Sequence, residues 1–331
     1  MKIKEVADRL KISQRAIRFY EAKGLISPSK QADNQYRNFD EEDIWRLQTI
    51  IALRESGMAV SDIRAALSNL EIQGNRQLQY FLELQRSIMF SKWVEMKQII
   101  ETTDEMIESL KKNDTLPLDD IYTLAEGARR LREQRVWQDK WGFDRLAGIH
   151  DQLVQEDQQK YGNYDEALQL IVKWVSPLRG ERGLDIGTGT GNLAGRLVLE
   201  GAGMAGVDQS SEMLKECRRK FPEIETRLGN FLALPYLDGR FDFVVSSFAL
   251  HHLTAGQTHM AIQEMRRVLK PHGRICIADL MTGGGDCGNS EDNGEYIPLS
   301  ELIHLFEDKG YITKHLKINK WLHAILAVPI R

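Results

Sequence analysis

The chain has 331 residues, 42% hydrophobic and 28% charged, with a formal net charge of −4. That length divides better into two cores than one, no stretch approaches the roughly 18 unbroken apolar residues of a membrane span, and "MKIKEVADRL" carries no apolar signal core, so a cytoplasmic protein with no membrane partner is expected. Cys217, Cys276 and Cys287 are widely spaced with no CxxC or Cys/His cluster, which supports neither a disulfide framework nor a metal site.

Residues 1–74 read as short helices. In "IKEVADRL", Ile3, Val6, Ala7 and Leu10 share one helix face. Ser13 can cap a second helix, "QRAIRFYEAK", which Gly24 would stop. Two short helices joined by "KISQ" form a helix-turn-helix signal, and "NQYRNF" follows as a loop or small wing. "DEEDIWRLQTIIALRESG" opens with acids, where the helix dipole favours them, and "AVSDIRAALSN" makes another short helix. Residues 1–37 carry nine basic side chains against four acidic ones, so this end of an acidic chain suits a polyanion.

This segment resembles the DNA-binding domain of the mercury-resistance regulator (MerR) family, most distinctively in "RAIRFYEAKGLI" and "YRNF…DIWRLQTI". The resemblance implies a winged helix-turn-helix fold, with double-stranded operator DNA and RNA polymerase at the promoter as partners. It places Arg15, Arg18 and Tyr20 on the recognition helix in the major groove, and Tyr36 and Arg37 of the wing at phosphates. Phe39 stands where relatives often have tyrosine.

In residues 75–113, Leu82, Met89, Met96, Thr103 and Leu110 recur every seven positions. Leu78, Ile99 and Met106 take the companion position, which is otherwise Gln85 and Lys92, and Trp93, Ile100 and Ile107 widen the stripe. This predicts one long coiled-coil-like helix whose economical partner is the same helix of a second subunit, giving a homodimer. It is also where the MerR resemblance implies a dimer helix.

A polar joint, "KKNDTLPLDD", opens residues 114–180, which read as a linker followed by the helical stretches "WGFDRLAGIHDQLV" and "YDEALQLIVKWV". Over residues 181–331 the candidate strands are "RGLDIG", "MAGVDQ", "TRLGN", "FDFVVSS", "RICIADL", "ITKHLKI" and "HAILAVPI". Their alternation with helical patterns predicts an α/β fold with a doubly wound parallel sheet. The last two have no helix between them and are expected as an antiparallel hairpin at an edge.

The turn "GLDIGTGTGN" is the richest motif. Gly187, Gly189 and Gly191 permit unusual backbone angles and close approach at the carboxyl end of a strand. A pyrophosphate loop needs G-x-G-x-x-G, but Asn192 stands where the last glycine belongs. Asp185 suits an ammonium group and is unhelpful beside a pyrophosphate. Asp208, about 20 residues on, is placed to take ribose hydroxyls.

With "GVDQSSEML", "GNFLALPY", "FDFVVSSFALHHL" and "RVLKPHGRICIADL", this turn resembles the class I S-adenosylmethionine-dependent methyltransferases, five segments in the family's order. The resemblance implies a seven-stranded Rossmann-like sheet and S-adenosyl-L-methionine as cofactor. It assigns the methionine end to Asp185 and the backbone of Gly187, Thr188, Gly189 and Gly191, with Ser246, Ser247 and Phe248 beneath. Asp208 would take the ribose, Gln209 and Met213 the adenine, and Phe231 its edge. Asn230 falls where the family usually has an aspartate facing the adenine amine, from which asparagine can also accept. Tyr161 and Tyr164 resemble the family's lid helix.

His251 and His252 are the candidate general bases, since histidine titrates near neutral pH, although "LHHL" is also a common scaffold feature of the family. His150, His259 and His272 read as ordinary surface or packing residues. The absence of "NPPY" or "DPPY" argues against nucleic-acid base methylation. The two resemblances together imply a transcriptional regulator whose methyltransferase domain methylates a small molecule, senses it, or both. The rival is a catalytically inactive sensor of S-adenosylmethionine or S-adenosylhomocysteine.

Overall fold

The computed structural model describes residues 1–30, 37–55, 60, 63, 64, 67, 75–113, 142–156, 162–283 and 296–330. They belong to two compact units, Met1–Met89 and Phe90–Arg331. No described helix is long and apolar enough to cross a membrane.

In the first unit α1 (Ile3–Leu10) packs on α2 (Gln14–Ala22). Ser13 Oγ accepts from the Ala16 amide at 3.0 Å, the cap expected from its position. Gly24, at φ +68°, ends the second helix. A two-stranded antiparallel ladder, β1 (Ser29–Lys30) and β2 (Arg37–Asn38), precedes α3 (Glu41–Glu55). Val6, Ile17, Leu25, Phe39, Ile44 and Leu47 form the core. Phe39 is therefore a core residue, which accounts for an apolar ring there. Most of "AVSDIRAALSN" lies outside the described residues. The long helix is one piece, α4 (Asn75–Asn113), about 58 Å at 1.5 Å per residue.

The second unit is built on seven strands: β3 (Arg182–Ile186), β4 (Gly203–Asp208), β5 (Glu225–Leu228), β6 (Phe241–Ser247), β7 (Leu269–Leu280), β8 (Tyr311–Lys317) and β9 (Leu322–Pro329). Their order is β5-β4-β3-β6-β7-β9-β8, parallel from β5 to β7, with β9 antiparallel to both its neighbours. Each predicted run is a strand, and the last two pair as expected. The hairpin folds back, however, so that β9 lies inside and β8 takes the edge.

The sheet has apolar faces on both sides because its strands are nearly continuous hydrophobic runs. On β6, Val244 enters one core cluster while Phe243 and Val245 enter the other. Helices α7 (Tyr164–Val175) and α8 (Asn192–Leu199) cover the second face. Helices α10 (Ala255–Val268) and α11 (Leu299–Glu307) cover the first. Two short helices, α5 (Phe143–Leu146) and α6 (His150–Glu156), precede the sheet, and α9 (Ser211–Lys220) follows β4. Strand order reverses between β3 and β6, so the crevice at their carboxyl ends is the natural ligand position.

Candidate active site

The turn after β3 is stitched to β4 by the amides of Gly187 and Thr188, which donate to the Val207 carbonyl at 2.8 and 3.1 Å. Gly187, Gly189 and Gly191 all have positive φ, but their spatial roles differ. A Cβ on Gly187 would stand 2.4 Å from the Ala249 Cβ, and one on Gly191 2.7 Å from Cys217 Sγ. Gly191 thus serves the packing of α8 on α9. At Gly189 a Cβ would meet only the His150 ring, at 3.8 Å, so here the backbone is open to a ligand.

A buried carboxylate, Asp185, and a half-buried one, Asp208, flank this turn. Asp185 is 1% exposed; its Oδ2 accepts from Thr188 Oγ1 at 2.9 Å, while its buried Oδ1 has no hydrogen-bond partner. Burial pushes the carboxyl up to about 7, helped by the neighbouring Asp208 charge and opposed by Thr188 and the Ala194 amide. Asp208 accepts from the amides of Gly189 and Ser210, each at 2.9 Å. Burial raises its pKa too, opposed by these amides. A desolvated carboxylate with an idle oxygen favours a cation beside it.

The cavity above the turn measures about 230 Å³. Of the residues singled out from the sequence, Gly187, Thr188, Gly189, Asp208, Gln209 and Met213 line it. So do Asn230, Phe231, Ser247, Phe248, Tyr164, His251 and His252. Asp185 is not among the lining residues, although Ile186, the next residue in the strand, is. Ser246 is a brace, donating to the Ile186 carbonyl at 2.8 Å. Asn230 Oδ1 accepts from the Leu232 amide at 2.9 Å, so its oxygen is already engaged in the local turn. Gln209 Oε1 is buried without a partner. Tyr161 lies outside the described residues.

The lid side was only partly legible. The Tyr164 ring sits 5.1 Å from that of Phe248, and its hydroxyl accepts from Asn192 Nδ2 at 3.3 Å. Phe248 holds φ +52°, a costly angle for a bulky residue, as functional turns often show. His150, read from sequence as surface or packing, lines the cavity. Asp151 accepts from Thr190 Oγ1 at 2.6 Å and Lys220 Nζ at 2.5 Å. Asp144 Oδ1 accepts from Ser210 Oγ at 2.5 Å. No spacing rule links residues 39 to 69 positions apart in this way.

Asp279 was also missed. It is 0% exposed and accepts from the amides of Ala249, Leu250 and Leu280 at 2.9, 2.6 and 2.7 Å. Its Oδ1 is 2.6 Å from His251 Nδ1. Burial pushes this carboxyl up, but His251 and the amides outweigh it and hold it below the usual range.

In the first unit Arg15 and Arg18 are exposed on α2. Tyr20 packs partly against the core, its ring 5.8 Å from Phe19. Arg37 Nε pairs with Glu21 Oε2 at 2.6 Å, a contact the sequence did not announce. Tyr36 lies outside the described residues. Among the described residues no cluster of His, Cys, Asp and Glu is placed to hold a metal ion.

Fold and site define a doubly wound α/β unit with a cleft at the switch point, preceded in the chain by helices and a small ladder. Residues 184–273 match the family described as "Methyltransferase domain", and residues 1–70 match "MerR HTH family regulatory protein". An uncharacterized methyltransferase of Alkaliphilus oremlandii is 34% identical over 205 residues, covering 56% of this chain and 94% of that protein. One from Bacillus thuringiensis is 31% identical over 202 residues, covering 56% and 95%. Among solved structures, a SAM-dependent methyltransferase from Aquifex aeolicus aligns with a TM-score of 0.45 at 20% identity, covering 56% of this chain and 98% of that one. The chain belongs to the methyltransferase family through its C-terminal part and carries a MerR-family domain at its N-terminus.

Proposed function

We propose that this protein is a DNA-binding transcriptional regulator, dimeric through residues 75–113, whose C-terminal unit uses S-adenosyl-L-methionine to methylate a small molecule. The division at residues 74, 113 and 180 is part of this reading. The observation that carries it is the buried Oδ1 of Asp185, which has no hydrogen-bond partner, together with the open backbone of Gly189 in the turn that follows. These groups suit the cofactor. Asp185 would meet its ammonium group, Asp208 its ribose hydroxyls, and Met213 and Phe231 its adenine, with Gln209 Oε1 as a further acceptor.

Bound there, S-adenosylmethionine supplies an electrophilic sulfonium methyl group. The chain's own residues do the rest. Tyr164 and Phe248 wall the site and exclude water. The glycine turn and the two carboxylates hold the ligand in a fixed orientation, the main source of rate in such a transfer. His251 and His252 stand on the cavity wall as candidate bases. At the DNA end, exposed Arg15 and Arg18 supply contacts to base edges and phosphates.

The deciding experiment incubates the full-length protein with methyl-labelled S-adenosylmethionine and candidate acceptors, and identifies by mass any small molecule retained on purification. A labelled small product is expected. Tight cofactor binding with no labelled product would replace the enzyme with a pure sensor. Label in operator DNA would replace the small acceptor with nucleic acid.

A further inference from the structure

Beside the cofactor-holding residues, the cavity wall carries the His251 ring, which is backed by Asp279. A carboxylate only accepts hydrogen bonds. Asp279 already takes three backbone amides, which favour its ionised form. The 2.6 Å contact with His251 is therefore a donation from Nδ1–H, and a neutral imidazole then carries its lone pair on Nε2. The same carboxylate also holds the amides of the two residues preceding His251, so one group sets both the backbone and the ring.

Two further rings limit its rotation. His252 lies 4.0 Å away, centroid to centroid, and the Tyr296 edge 6.0 Å away. His252 itself packs edge-on to Phe143 at 5.3 Å.

The rest of the wall speaks to the acceptor. Phe143, Tyr164 and Phe248 supply aromatic faces, and no lysine or arginine occurs among the described lining residues. An anionic acceptor would find no cationic side chain among them and would face the like charge of Asp208 on the same wall. A bare imidazole matters most for a hydroxyl. A neutral amine attacks with its own lone pair, and a thiol near pKa 8.5 ionises readily, whereas a phenolic group near 10 must lose its proton.

We propose that Asp279 is a positioning residue that keeps Nε2 of His251 bare, that His251 rather than His252 is the catalytic base, and that the acceptor is an uncharged, largely apolar molecule with a weakly acidic hydroxyl. This rests on the methyltransferase reading above. In the step, Nε2 takes the hydroxyl proton. The oxygen's lone pair forms the new bond to the methyl carbon, and the old carbon–sulfur bond leaves its electron pair on sulfur. Asp279 balances the imidazolium until Nε2 returns the proton to solvent.

The test uses the full-length protein labelled with ¹⁵N-histidine. Long-range ¹H–¹⁵N correlations read each ring's tautomer, and His251→Gln, which keeps a donor toward Asp279 but has no basic atom, identifies the His251 signals. The proton is expected on Nδ1 in the wild type and on Nε2 in Asp279→Asn. A wild-type proton on Nε2, or an unchanged tautomer in Asp279→Asn, overturns the proposal.

Methyl transfer to 4-methylcatechol is expected to exceed that to 3,4-dihydroxybenzoate at least about tenfold. Either substitution is expected to lower kcat about 100-fold while KM stays nearly constant, the scale of a lost general base. Unchanged kcat overturns the base, and equal use or refusal of both probes overturns the acceptor class. Absence of S-adenosylhomocysteine binding by calorimetry overturns the cofactor reading itself, and is distinguishable because the tautomer is read without ligand.

Discussion

Lys220 at the end of α9 places its Nζ 2.5 Å from Oδ2 of Asp151 on α6, clasping that helix to the glycine turn. The same ammonium donates to Asn192 Oδ1 at 2.6 Å and Thr190 Oγ1 at 3.1 Å. Asp151 is held well below the usual carboxylate range, first by His150 and then by Lys220, Thr190 and Asn192, against its desolvation. Because the folded value is depressed, this contribution is present above the ordinary carboxylate range near 4 and is lost as pH falls below it. The side chain is 45% exposed, so solvent screening keeps the ion-pair contribution small. Lys220→Met is expected to raise amide exchange across residues 150–156 and to weaken S-adenosylhomocysteine binding severalfold. Unchanged protection there would show that the clasp does not hold α6.

Asp185 has the opposite sign. Its folded pKa, raised to about 7 from 3.8, lets the folded chain hold a proton that the unfolded chain has released. Its burial therefore destabilises the ligand-free protein increasingly as pH rises from about 4 to about 7, by up to a few kcal/mol. Asp208 carries the like charge beside it, and Cys217 and Tyr164 are the other titratable neighbours. The ligand-free melting temperature is expected to fall between pH 5 and 7, less so in Asp185→Asn. A cation at Oδ1 reverses the shift, so binding S-adenosylhomocysteine at pH 6 is expected to expel a proton. Heats of binding independent of buffer ionisation enthalpy would sink this idea.

Asp208 has two tasks, holding Gly189 and Ser210 and facing the cavity. Asp208→Ala is expected to weaken cofactor binding by a few kcal/mol at most, the worth of a charge-assisted pair. Calorimetry with S-adenosylhomocysteine checks it; unchanged affinity would mean that the ribose is held elsewhere.

For the DNA end, Arg18→Ala is expected to abolish operator binding in a fluorescence anisotropy titration while cofactor affinity stays as it was. Loss of both would mean instead that the substitution unfolds the chain.

The stripe on α4 is exposed in the single chain: Leu82 at 45%, Met89 at 45%, Met96 at 57% and Ile100 at 55%. Apolar side chains in such a row call for a partner surface. Replacing Met96 and Ile100 with glutamate is expected to convert a dimer to a monomer in sedimentation velocity. An unaltered dimer would place the interface elsewhere.

What the sequence determined by itself is what short-range physics controls. The helix faces of α1 and α2, the Ser13 cap, the heptad stripe and the seven strand runs all follow from patterns within about ten residues. The glycine turn and its two carboxylates were legible because β3, the turn and β4 adjoin in the chain.

What only the tertiary structure decided are the meetings of distant residues. Asp279 reaches His251 because β6 and β7 are parallel neighbours, which places the turn after β6 against the carboxyl end of β7. Asp151 and His150 join the site because α6 lies over the glycine turn. Gly191 proved to serve packing against Cys217, Arg37 to pair with Glu21, and β9 to lie inside β8. Each depends on the order and crossover of whole elements. That order is set by burying both sheet faces at once, which no local spacing encodes.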